Sequence, residues 1–94
     1  MFQLQSKDWP GVAKVLEESS ELNVNLAKLM ATNGDASYWG GVNLRDEITD
    51  EIADTLAAIY FFLEFNPQIN FEHVKDRWGT KAQKYRKWRA NGEG

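Results

Sequence analysis

Apolar side chains recur at Val12, Val15, Leu16, Leu22, Leu26, Leu29 and Met30, with the small Ser19 in the same stripe. Steps of three and four put them on one helical face, without the alternation a strand would show. The pattern predicts a first helix from about Trp9 to Thr32, ended by Asn33-Gly34-Asp35. Ser6 or Asp8 is expected to cap it, with Pro10 in the first turn, where a missing N–H costs nothing. A second helix is expected from near Asn43, where Asp46 three positions on completes a capping-box-like pair, to Leu63, and Asn66-Pro67 stops it. Its first half is acidic on one side. Its second half, from Leu56 to Leu63, is apolar nearly all round and must be enclosed by this chain or by a partner.

Phe71, Val74, Trp78, Tyr85 and Trp88 mark a third helix over about Phe71 to Ala90. Asn70 caps it, Asn91-Gly92 ends it, and Gly79 is a local weak point where a kink is expected if anywhere. No repeat, low-complexity tract or long strand pattern interrupts this series. The expectation is an all-α protein of three main helices in a single domain, residues 1–94. Between the first two helices, Ala31 to Val42 holds Gly34, Gly40 and Gly41 around Tyr38 and Trp39. Trp39 or Tyr38 could pack on the core, or could lay an aromatic face against the base of a planar ligand.

Composition narrows the chemistry. The chain has no Cys and a single His, His73, which removes disulfides, thiolate zinc, cysteine catalysis, histidine triads and multi-histidine metal sites. No apolar run approaches the ~20 residues of a membrane span, and Met1-Phe2-Gln3-Leu4-Gln5 does not read as a leader. A cytoplasmic location without a membrane partner is the expectation. At 94 residues, 43% hydrophobic and with four Trp, the chain carries more apolar surface than a core of this size readily buries. That predicts burial against a second copy.

The net charge of −3 conceals a split. From Lys75 onward seven basic residues (Lys75, Arg77, Lys81, Lys84, Arg86, Lys87, Arg89) face two acidic ones, whereas the earlier part holds four basic and twelve acidic residues. On the first helix Glu17 and Glu18 flank Glu21 by about 40° and 60°, so the three point one way. On the second, Glu47, Asp50, Glu51 and Asp54 fall within an arc of about 100°. Like charges at these spacings repel. No Lys or Arg interrupts Glu47 to Asp54, and none lies four positions after Glu17 or Glu18. Packed antiparallel, the two helices could bring these ridges together around a divalent cation. Oxygen ligands alone favour Mg²⁺ or Mn²⁺, and Mg²⁺ held by a few carboxylates commonly shares its shell with substrate phosphates. A di-iron centre would need Glu-x-x-His, and His73 lies outside both ridges.

Glu17-Glu18-x-x-Glu21, followed on the next helix by Glu51-x-x-Asp54 inside Asp50-Glu51-Ile52-Ala53-Asp54-Thr55-Leu56, resembles the MazG-type all-α nucleoside triphosphate pyrophosphohydrolases. Their pattern is Glu-Glu-x-x-Glu, a variable gap, then Glu-x-x-Asp. Lys14-Val15-Leu16 before the first motif, Leu22 after it and the apolar run after the second agree with it, and the resemblance spans Trp9 to Trp88. It implies a MazG-like helical bundle whose core is completed by dimerisation, as a homodimer or homotetramer. It also implies Mg²⁺-dependent hydrolysis of a (deoxy)nucleoside triphosphate to monophosphate and pyrophosphate, in a nucleotide-pool or house-cleaning role, with Mn²⁺ as a substitute. Glu18, Glu21, Glu51 and Asp54 would bind metal. Glu17 would be a further ligand or would orient or deprotonate the attacking water beside Glu18. Glu47-x-x-Asp50 offers a second match one turn earlier. Lys81 fits the family's first basic position, with Lys84 as a further phosphate contact, while Tyr85 stands where relatives often carry Asn. A reading of another class is a non-enzymatic helical oligomer whose basic third helix, Lys81 to Arg89 with Tyr85 and Trp88, contacts nucleic acid or an acidic partner. The acidic ridges oppose a polyanion and have no purpose in it.

Overall fold

A computed structural model of the chain describes residues 9–35 and 43–92. It contains three helices and, among the described residues, no strand: α1 Val12–Ala31, α2 Leu44–Glu64 and α3 Phe71–Ala90. None of them is long and apolar enough to cross a membrane.

The starts of α2 and α3 follow local chemistry. Asn43 and Asn70 are extended N-caps whose side chains accept hydrogen bonds from the backbone N–H groups of Asp46 and His73, three residues on. The start of α1 does not follow the expected pattern. The helix opens at Val12, and Trp9 and Pro10 precede it, because Gly11 takes a left-handed conformation (φ +88°) that no helical residue shares. Ser6 and Asp8 lie outside the described residues. At the other end, Asn33 adopts φ +56°, Gly34 N–H bonds back to Leu29 and Asn33 N–H to Met30, so the last carbonyls of α1 are satisfied in a Schellman turn. Gly79 leaves α3 unbroken.

Helices α1 and α2 pack antiparallel. Pro10 meets Asn66, Gly11 meets Phe61, and Glu18 meets Thr55, so residue numbers rise along one helix as they fall along the other. The seam is small and polar: among the described residues Asn25, Leu44, Thr55, Ala58 and Asn66 are buried, and of these only Leu44 and Asn66 completely. Asn66, wholly enclosed, donates from Nδ2 to the carbonyls of Pro10 (2.8 Å) and Phe62 (2.6 Å) and ties the entry of α1 to the exit of α2. Trp9 stacks on Phe62 above this clasp.

The apolar residues read as core are therefore not enclosed by the chain. Leu16, Leu26 and Met30 of α1, and Leu56, Ile59, Tyr60 and Phe61 of α2, stand exposed. Helix α3 buries no side chain, and Trp78, Tyr85 and Trp88 are at least half exposed. It leaves α2 through the Tyr60–Phe71 ring contact, and a cavity of about 220 Å³ opens between the two helices, walled by Leu56, Ile59, Leu63, Val74 and Trp78. The radius of gyration is 16.2 Å, against about 12 Å for a compact chain of this length. The accessible surface of 7371 Å² exceeds by about a third what a compact 10.8 kDa monomer exposes.

Candidate metal centre

The antiparallel pairing brings the two acidic helices face to face midway along their length. One carboxylate oxygen from each of Glu18, Glu51 and Asp54 lies within 4.8 Å of the others. Glu18 and Asp54 belong to different helices and are held level by the hydroxyl of Thr55, which donates to the Glu18 carbonyl at 3.2 Å. Glu51, one turn before Asp54 in sequence, completes the group. Oε2 of Glu18 and Oε2 of Glu51 are both shut off from solvent without a hydrogen-bond donor. A buried acceptor without a partner costs free energy, more so when charged. Such atoms are satisfied by a proton, a cation or an ordered water.

The carboxyl groups respond accordingly. Burial raises the pKa of Glu18, and the neighbouring charges of Glu21, Asp54 and Glu17 raise it further. Glu51 is raised first by burial and then by Glu21, whose carboxyl stands close enough to share a hydrogen bond, with Glu18 and Asp54 adding to the repulsion. Glu21 therefore flanks Glu51 instead of joining the three-way group.

Three of the five expected acidic side chains thus form the group with Glu21 beside it, and the choice between the two matches on α2 is made by geometry. Glu51 and Asp54 meet Glu18; Glu47 and Asp50, one turn earlier, take no part in the group. Glu17 lies outside the three-way group but close enough for its charge to act on Glu18, and it is paired. Its Oε1 lies 2.8 Å from Nζ of Lys14, one turn back on α1. The cation that answers this part of the ridge precedes it by three residues, and none stands four positions after it. Glu17 and Lys14 were separable from the pattern by that i, i+3 spacing.

Beside the carboxylates lies a cleft of about 270 Å³ lined by Lys14, Glu18, Asp54, Ala57, Ala58 and Phe61. A second, lined by Pro10, Gly11, Ala13, Lys14, Glu17 and Phe61, adjoins it through Lys14 and Phe61. Lys81 and Lys84 line neither cleft. They sit on α3, which buries none of its side chains, Lys81 with its Nζ 6.0 Å from the centre of the Tyr85 ring. Tyr38 and Trp39 lie outside the described residues.

The donor set fits a hard divalent cation. All its ligand atoms are carboxylate oxygens, two of them enclosed and unpartnered, and none is nitrogen or sulfur. No family model, curated protein or solved structure matches the chain.

Proposed function

We propose that this protein is a MazG-type, Mg²⁺-dependent nucleoside triphosphate pyrophosphohydrolase that works as a homo-oligomer. The observation that carries the reading is the convergence of Glu18 with Glu51 and Asp54 across two antiparallel helices, with two enclosed carboxylate oxygens lacking any partner. This is the arrangement expected of Glu-Glu-x-x-Glu paired with Glu-x-x-Asp. Glu18, Glu51 and Asp54 hold the cation, with Glu21 beside Glu51 as the fourth carboxylate. Mg²⁺ in such a site supplies charge neutralisation for a polyphosphate and lowers the pKa of water.

The residues of the chain then divide the remaining work. Water adds to the α-phosphorus as the α–β phosphoanhydride bond breaks, giving nucleoside monophosphate and pyrophosphate. Glu17, at the edge of the carboxylate group, orients or deprotonates that water together with Glu18. Lys81 and Lys84 serve the outer phosphates once assembly has enclosed α3. Homo-oligomer formation is supported by the exposed surface. The surface exceeds that of a compact monomer, and large apolar side chains such as Leu56, Ile59, Phe61 and Trp78 lie on it. The apolar residues of α2 and α3 that remain uncovered are the natural seal between two copies.

Release of pyrophosphate from a panel of (deoxy)nucleoside triphosphates with Mg²⁺ tests the reading. Turnover that EDTA abolishes and Mn²⁺ partly restores is the expected result. Absence of turnover across the panel, or release of orthophosphate in place of pyrophosphate, overturns it. A protein that instead binds nucleic acid with steep salt dependence and no response to divalent ions belongs to the other class, with the exposed basic face of α3 as its contact surface.

A further inference from the structure

Resting on the triphosphate reading above, we propose that Lys14 is the phosphate-positioning residue of the site, held in reserve by Glu17 until substrate arrives. Among the described residues, Lys14 is the only cation lining the cleft beside Glu18 and Asp54, and the only one lining the adjoining cleft that ends at Gly11 and Phe61. It therefore stands at the junction between the carboxylate end of the groove and its apolar end. A polyphosphate whose charge is shared with a cation at Glu18, Glu51 and Asp54 extends along this groove past Lys14, and no other basic side chain among the described residues lines it.

The pair with Glu17 suits this role. Both side chains are about half exposed, and their contact spans a single helical turn. Exposed ion pairs of this kind contribute little to stability, so Nζ leaves Glu17 at small cost. A phosphate oxygen bearing more charge than one carboxylate is the better partner for an ammonium with three donors. Ala57 and Ala58, on the facing side of the cleft, leave the space into which the four-carbon stem can turn. The same movement strips Glu17 of its cation, so that occupation of the groove changes the state of the residue next to Glu18. Helix α3, whose lysines are more numerous, has no such position in the isolated chain.

The test is the binding of an α,β-methylene deoxynucleoside triphosphate, followed by calorimetry with and without Mg²⁺, alongside steady-state hydrolysis of the parent nucleotide. In K14M the analogue is expected to bind about tenfold more weakly, the loss of one charge-assisted hydrogen bond. KM should rise by a similar factor while kcat changes less. K14R should restore most of the affinity, and K28M, at the far end of α1, should change nothing. E17Q should tighten binding by releasing Lys14, and that gain should vanish in K14M/E17Q; a general electrostatic effect of Glu17 would survive in the double variant. Circular dichroism checks that each variant folds, and K14Q replaces K14M if the latter does not. Analogue binding by K14M within twofold of wild type, or an E17Q gain that persists without Lys14, overturns the role of Lys14 and leaves the metal reading intact. Wild-type protein that neither binds the analogue nor hydrolyses the nucleotide overturns both.

Discussion

The hydroxyl of Thr55 donates to the backbone carbonyl of Glu18, so the residue adjoining one acidic ligand candidate anchors the backbone of another on the opposite helix. Because Thr55 is buried at the seam, this bond sets how far α1 slides along α2, and hence which carboxylates meet. A slip of one turn would pair Glu18 with Asp50 and Glu47. Replacing Thr55 with Val keeps the shape and removes the donor. Unfolding in urea is expected to show a loss of about 1 kcal/mol, and Mg²⁺ affinity should fall as the register loosens.

Asn66 performs the corresponding task at the end of the pair. Its Nδ2 satisfies the carbonyls of Pro10 and Phe62 in a fully enclosed position. Asn66→Ala leaves both carbonyls unpaired and is expected to cost about 2 kcal/mol or more. Proteolysis should then cut first near the entry to α1, because the clasp is what holds that end against α2.

Metal and proton compete for the same oxygens. The pKa values of Glu18 and Glu51 lie above the ordinary carboxylate value, first because each is partly desolvated at the helix seam and then because other carboxylates surround them. The folded metal-free protein therefore holds more protons than the unfolded chain from the ordinary carboxylate range up to these raised values. Stability must fall as pH rises through that window and remain at its lower level at neutral pH. Added Mg²⁺ should reverse the trend, stabilising most at neutral pH and least where the carboxyls are protonated. Glu51→Gln should melt higher than wild type without metal at pH 7 and should lose the Mg²⁺-dependent gain. A thermal melt series across pH, with and without Mg²⁺, reads both signs at once.

Activity distinguishes the two acidic matches on α2. Glu18→Gln and Asp54→Asn are expected to lower pyrophosphate release by a factor of about a hundred or more, as losses of metal-binding charge do. Glu47→Gln and Asp50→Asn, lying outside the group, should stay within a few-fold of wild type. The reverse pattern would show that the helices meet one turn away from the register described.

Much of this structure was legible in the chain, and the divide follows the range of the interactions. The caps at Asn43 and Asn70 were readable because an N-cap bond closes over three residues. The candidate site was readable for a similar reason: Glu51 and Asp54 share a face through i, i+3 spacing, and antiparallel packing is the ordinary result of a short connection between helices. The start of α1 was not, because Gly11 is left-handed against the Phe61 ring, where a Cβ would come within 2.9 Å of the ring edge. Nothing within a few residues of Gly11 announces that contact. The register bonds of Thr55 and Asn66 span 37 and 56 residues and leave no periodic trace. Lys14 was within local reach, three residues before Glu17, but an acidic ridge read only forward hides the cation behind it.

Helix α3 buries none of its own side chains, and if pairing encloses it, the amount of protein becomes a variable of its chemistry. In the proposed assembly the enclosed form exists only as pairs, so at concentrations well below the dissociation constant, doubling the chain raises the paired species by up to about fourfold. Specific activity per chain should then decline on dilution, and the unfolding midpoint should drift downward with it. A cell containing such a protein would adjust its nucleotide hydrolysis more steeply than its synthesis of the chain, with no effector and no second site required.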